Sequence, residues 1–239
     1  MMSIANFARA APLLLCLAAA AAAQERQPDL SRHFQRAREI GDTTAPGAAF
    51  EFESSGYSYR IASNGAGRRM KGSDVRRFSL RLEGVDWIER LSYQEYQDNI
   101  LLVWWVNDGG GAAAYVARLE QPSMRARWKQ LVPALNVMAV REQGSLYLNG
   151  YGFLGRLDLG TGEYIWRLDH KESHDDFHRR GGREESGVGA RKLALPSSDF
   201  GPPEFDGDTV IYREVGQYKR PPLKAVHVNR KSGKIVRIE

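Results

Sequence analysis

From Phe50 to Glu239 the apolar and polar residues alternate in short runs broken by Gly, Asn and Asp. That is the period of half-buried β-strands between tight turns. "AFEFESS", "YSYRIAS" and "RRFSLRL" are three such runs over Phe50–Leu82, set around the Gly-rich stretch "NGAGRRMKG". "NILLVWWV", "GSLYLNG" and "DTVIYREV" each follow a polar turn, and "IERLSYQEY" and "LNVMAVRE" precede two of those turns. Before Phe50 the pattern differs. "PDLSRHFQRAREIG" places Leu30, Phe34 and Ala37 at helical spacing, with Asp29 or Ser31 able to cap the start and Gly41 able to stop it. One short N-terminal helix is predicted there, then a linker, "DTTAPGAA".

The hairpin "GRLDLGTGEYIW", Gly155–Trp166, repeats along the chain. A shift of 38 residues lays Arg118 on Arg156, Leu119 on Leu157, Glu120 on Asp158 and Trp128 on Trp166 without a gap. A shift of 71 residues toward the C-terminus lays Val228 on Leu157, Asn229 on Asp158 and Ser232-Gly233 on Thr161-Gly162. Arg237 then stands in place of the tryptophan, and His227 in place of Arg156. Together with the preceding strands, each unit is about four antiparallel strands over roughly 40 residues, the blade period of a β-propeller. Glycine after Thr or Ser supplies the positive φ that a tight hairpin needs, and Asp or Asn before the turn can bond its backbone.

The motif of a small residue, "LD", a spacer, "TG", β-formers and Trp resembles the repeat of pyrroloquinoline-quinone-type propellers. Three repeats carry the resemblance, over about Ile88–Glu239; the first lacks the turn glycine, with Pro122-Ser123 instead, and the third lacks the tryptophan. Phe50–Leu82 supplies a fourth unit. The expected fold is all-β: a small or incomplete propeller of about four four-stranded antiparallel blades, with the short helix covering an open edge. An open stack of β-meanders is the alternative. The repeat occurs in quinoprotein dehydrogenases and in non-catalytic exported propellers. The resemblance to the dehydrogenases implies a far longer chain with about twice the blades and a calcium ion beside the quinone; no matching Glu/Asn/Asp set is visible here.

"MMSIANFARAAPLLLCLAAAAAAQ" places one cation, Arg9, before an apolar run that ends in small residues, the order of a secretory signal peptide. Cleavage is expected after Ala23, and residues 24–49 then hold the helix and linker ahead of the propeller-type domain, 50–239. Cys16 suggests a lipoprotein as the runner-up, although Leu15 before it is not small. The expected location is periplasmic or secreted, with no transmembrane segment once the signal is removed and no nucleic-acid partner. Cys16 is the single cysteine, so the mature domain can hold no disulfide, thiolate metal site or cysteine nucleophile. The chain has 34 Lys and Arg against 29 Asp and Glu, a net charge of +5, which is mild. Such a surface could favour polyanions such as glycans or lipid headgroups, although an ordinary solvated surface is the simpler reading.

Candidate chemistry lies mostly in an insertion at about 169–203. His170, His174 and His178 stand four residues apart and would share one face of a helix, with Asp175 and Asp176 beside them. Such a set can coordinate zinc, nickel or copper, so a divalent metal is the one cofactor considered; otherwise none is expected. Trp128 and Trp166, at one repeat position, point to packing between blades. Trp104 and Trp105, neighbours on a strand, point to opposite faces. The glycines of "NDGGGAAA" read as a hairpin tip, and "RRGGR" as a solvated basic loop. His227, in a strand, falls among structural positions. The expected function is a non-catalytic binding or scaffolding role in the bacterial cell envelope with a protein partner. The alternatives are a metal-binding or metal-dependent enzyme using the histidines, or a sensor of a small ligand at the blade centre.

Overall fold

The computed structural model describes residues 30–41, 47–80, 87–107, 112–170, 195–215 and 224–239. After a 3₁₀ turn at Leu30–Arg32 come two short strands, β1 (Gln35–Arg36) and β2 (Arg38–Ile40). Sixteen further strands then form four antiparallel sheets in chain order. Sheet I is β3 (Ala49–Ser54), β4 (Tyr57–Ala62), β5 (Ala66–Lys71) and β6 (Asp74–Ser79), and sheet II is β7 (Trp87–Tyr96), β8 (Asn99–Asn107), β9 (Ala112–Glu120) and β10 (Ala126–Val132). Sheet III is β11 (Met138–Glu142), β12 (Ser145–Gly150), β13 (Phe153–Asp158) and β14 (Tyr164–Asp169). Sheet IV is β15 (Glu204–Asp206), β16 (Thr209–Arg213), β17 (Ala225–Asn229) and β18 (Ile235–Ile238).

The run "NILLVWWVN" has no polar face because β8 is buried on both sides. Ile100, Leu102 and Trp104 join the core shared with sheet I, while Leu101 and Val103 join the core shared with sheet III, with Trp105 packed against it. Sheet III repeats the arrangement: Leu146 and Leu148 face sheet II, and Tyr147 and Leu154 face sheet IV. Sheets I and IV bury one face each, so β16 alternates strictly, with Val210 and Tyr212 buried and Thr209 and Arg213 outward. Three cores thus join four sheets, I to II to III to IV. Among the described residues no buried cluster joins sheet IV back to sheet I. The fold is an incomplete β-propeller, and the unit expected at its start is there as sheet I, Ala49–Ser79.

Among the described residues, from Leu30 on, the predicted N-terminal helix is absent. Beyond the 3₁₀ turn, residues 33–40 run extended across the first strands of three sheets. Arg38–Ile40 pair with β3 of sheet I, Gln35–Arg36 pair with β7 of sheet II, and His33 bridges to Val140 of β11 in sheet III. Between them the Ala37 N–H donates to the Leu91 carbonyl at 2.9 Å. This strap makes sheets I and II five-stranded. It covers open edges, as the helix was expected to, but does so with backbone hydrogen bonds.

Candidate functional site

The repeated hairpin is a docking device between sheets. In sheet III, the Asp158 carboxylate accepts from the N–H groups of Gly160 and Thr161 at 2.8 and 2.9 Å. In sheet IV, Asn229 accepts from Lys231 and Ser232 at 3.2 and 2.9 Å. Gly162 and Gly233 close these turns at φ of 76° and 72°. Each turn leaves one carbonyl, that of Leu159 or of Arg230, facing the preceding sheet. The Trp128 indole donates to Leu159 at 3.0 Å and the Arg118 guanidinium at 2.9 Å. One sheet on, the Trp166 indole donates to Arg230 at 2.9 Å and the Arg156 guanidinium at 2.7 Å. The arginine and tryptophan of each pair are cross-strand partners, Arg118 with Trp128 and Arg156 with Trp166, and a β-bulge follows each pair. Trp128 and Trp166 are therefore equivalent, as their shared repeat position requires.

The device stops at both ends of the stack. His227 and Arg237 are the matching cross-strand pair in sheet IV, but they lie on its outward face, where they neighbour each other and Glu239. Burial and the Arg237 and Arg213 charges hold His227 below the usual imidazole range. At the other end, β5 and β6 are joined by only Gly72-Ser73, so sheet I carries no five-residue acceptor turn. Sheets I and II are instead joined by Phe52, stacked on Tyr59 and Tyr93 at 4.7 and 4.2 Å. A polar chain runs beside them, Gln121 Nε2 to Ser54 Oγ at 3.0 Å and Ser54 Oγ to Glu95 at 2.8 Å.

The insertion is anchored at its base. The His170 Nδ1 lies 2.8 Å from the Leu195 carbonyl, and the Gly152 N–H donates to Ser198 at 2.9 Å. Asn136 Nδ2 donates to Asp199 at 3.2 Å, and the buried Asn149 amide donates to the Phe200 carbonyl. Leu195 and Phe200 are buried in the core between sheets III and IV, so residues 195–203 belong to the body. Around this base Leu135, Tyr151 and Val215 are exposed, and the three are linked through it: Tyr151 N–H donates to the Leu135 carbonyl, Ser197 Oγ to Tyr151, and Val215 N–H to Asp199.

Of the histidines singled out as metal ligands, His170 sits at this base, while His174 and His178 lie outside the described residues. So do the glycines of "NDGGGAAA" at 109–111 and the "RRGGR" loop. Among the described residues no three His, Cys, Asp or Glu side chains come together as a metal-holding group. Trp104 is core and Trp105 half-buried on the opposite face of β8, as alternation requires.

One feature escaped the sequence pattern. Register aligns Arg38, Glu51, Arg60, Arg68 and Arg77 in a single row across β2–β6, on the outward face of sheet I. A cleft of about 450 Å³ opens beside this row; it is lined by Arg36, Arg38, Glu51, Arg60 and Arg68, with Glu53, Ser58 and Met70 beside them and Phe52, Tyr59 and Tyr93 of the core between sheets I and II at its wall, while Arg77 lies beyond it. Glu51 is bound by Arg60 at 2.6 Å. Among the described residues no carboxylate pairs with Arg38, Arg68 or Arg77.

Several solved structures are similar to the chain at low identity. BamB from Moraxella catarrhalis is similar over 86% of this chain and 51% of its own, at 13% identity and a TM-score of 0.40. The quinohemoprotein alcohol dehydrogenase from Comamonas testosteroni is similar over 87% and 37%, at 14% identity and a TM-score of 0.43. A europium-containing methanol dehydrogenase is similar over 84% and 43%, at 10% identity and a TM-score of 0.43. The chain spans about half or less of the length of these proteins. No family model and no curated protein matches it.

Proposed function

We propose that this chain is an exported, non-catalytic binding or scaffolding module of the bacterial cell envelope that docks a protein partner at the base of its insertion. The observation that carries the reading is the way residues 195–203 and His170 are pinned to sheets III and IV while Leu135, Tyr151 and Val215 stay exposed around them. Loops held on a rigid scaffold commonly carry recognition, and exposed large apolar groups gathered at one place mark contact surfaces. The signal-like N-terminus supports export. Among the described residues no helix is long and apolar enough to cross a membrane.

The test replaces residues 171–194 with a short Gly-Ser linker and, separately, makes the Leu135→Ser/Tyr151→Ser double variant. Leu195 and Phe200 stay, because removing them would open the core. Tagged wild type and variants are crosslinked in envelopes and purified. The reading expects one envelope protein to copurify stoichiometrically with wild type and to weaken in both variants. Capture unaffected by either change, or turnover or stoichiometric metal in the wild type alone, would replace it.

A further inference from the structure

We infer that the outward face of sheet I is a binding site for an acidic glycan, held by the arginine row across β2–β6. This surface is distinct from the protein-docking one and does not rest on it. Register sets Arg60, Arg68 and Arg77 on three adjacent strands, directly opposite one another. Neighbouring strands lie about 4.8 Å apart, so the row from Arg38 to Arg77 crosses about 19 Å. Like charges directly opposite across strands destabilise a sheet. The row holds four arginines and one carboxylate, and Arg60 already binds that carboxylate. The fold thus leaves a line of positive charge unneutralised.

Sheet IV, the other end of the stack, serves as an internal control. Its outward charges cancel in place: Arg213 grips Glu204 through two hydrogen bonds of 2.8 and 3.1 Å, and Arg237 pairs with Glu239. An end face needs only a polar surface to stay in water. Sheet IV meets that need with balanced charge, and sheet I carries an excess that solubility does not require.

The cleft's chemistry selects the occupant. Guanidinium forks bind phosphate or carboxylate groups in pairs of hydrogen bonds. A bare polyanion would be repelled by Glu51 and Glu53, which line the same cleft. Those carboxylates and the Ser58 hydroxyl instead suit sugar hydroxyls as donors to them. A volume of about 450 Å³ accepts sugar rings, and a linear row suits a chain laid across the strands. The occupant is a saccharide chain bearing carboxylates or phosphates.

The experiment is calorimetric titration of the chain with five probes at physiological ionic strength: a galacturonate decasaccharide, phosphorylated dextran fragments, neutral dextran fragments, inorganic polyphosphate and phosphatidylglycerol vesicles. The first two separate carboxylate from phosphate as the charged group. The site expects at least one of them to bind, and to bind more tightly than polyphosphate at equal charge, with neutral dextran silent. Arg68→Glu/Arg77→Glu should weaken that binding at least about tenfold, and Arg68→Lys/Arg77→Lys by less, because charge survives while the fork is lost. Arg213→Glu/Arg237→Glu on sheet IV should change it less than about twofold, as surface charges away from a site act weakly. Thermal melts check that each variant folds; Arg68→Gln/Arg77→Gln replaces any charge reversal that does not. Equal weakening by the sheet I and sheet IV variants would overturn the site, as would polyphosphate binding as tightly as either glycan, or no binding of any probe. Binding of phosphatidylglycerol vesicles with no binding of soluble glycan would assign the face to a membrane surface instead.

Discussion

Gly233 lies directly beneath Trp166: a Cβ on that glycine would stand 2.6 Å from the tryptophan Cβ and Cγ. Gly162 bears the same relation to Trp128, at 2.5 Å from the ring. Each interface between sheets III and IV, or II and III, is thus closed by an indole lying on bare backbone. Gly162→Ala and Gly233→Ala combine positive-φ strain with overpacking and should each cost about 2–4 kcal/mol. Gly207→Ala is the control, since its φ is 53° and nothing lies within 4 Å of its Cβ; it should cost about 1 kcal/mol. Urea denaturation of the three variants checks this, and equal losses would show that the tryptophans do not rest on those turns.

Met124 holds the place of those glycines in sheet II, at φ of 57°. Its N–H donates to the Glu120 carbonyl at 2.7 Å, as Gly162 does to Asp158. Sheet I offers no tryptophan to lie on it, and the Met124 side chain is buried in the core between sheets I and II. Met124→Gly should therefore destabilise, although it relieves the backbone. The lost side chain costs about 2–5 kcal/mol and the relief returns about 1. A stabilised variant in chemical denaturation would mean that the side chain fills no space of consequence.

The Trp166 indole and the Arg156 guanidinium share one acceptor, the Arg230 carbonyl. Trp166→Phe should cost about 1–2 kcal/mol through the lost donor. Because the carbonyl keeps a partner, Trp166→Phe combined with Arg156→Met should cost more than the sum of the two. A double-mutant cycle with no coupling would separate the two bonds.

Glu95 accepts from the Ser54 hydroxyl and, at 2.6 Å, from the Ser55 N–H. The Ser54 bond chiefly holds its carboxyl below the ordinary value of 4.5, against the upward pull of partial burial. Because the folded value is the lower one, its contribution is full above 4.5 and is lost as pH falls through the folded value. Carboxyl NMR should place Glu95 below 4.5, and Ser54→Ala should move it up; an unmoved titration would remove Ser54 as the cause.

The Ala37 N–H is the strap's bond to Leu91, and its methyl is buried in the core of sheets I and II. Ala37→Pro removes that donor and should cost about 1–3 kcal/mol. Amide exchange should quicken in β3 and β7 before it does in β16 and β17. Uniform change across all four sheets would mean that the strap has no local role.

The hairpin repeat was legible because three copies keep the same polar, glycine and aromatic positions. The tryptophans' acceptors were not, since a backbone carbonyl has no residue identity. The strap read as a helix because Phe34 and Ala37 stand three apart; in the structure Phe34 packs against the core of sheets II and III and Ala37 lies in that of sheets I and II. A chain crossing two interfaces every few residues mimics a helical stripe. The arginine row was hidden for another reason: Arg38, Arg60, Arg68 and Arg77 are scattered in sequence and form a line only once five strands are in register.

Missing docking parts at the two ends have a consequence for behaviour in concentrated solution. A sheet stack whose last face carried the indole and guanidinium, and whose first face carried the acceptor turn, would be complementary to its own copies. Such head-to-tail contacts close into rings where the rotation permits and otherwise propagate into fibres. With His227 and Arg237 at one end and the two-residue Gly72-Ser73 turn at the other, neither half of that contact is present, so the device that joins sheets within the chain is prevented from joining chain to chain.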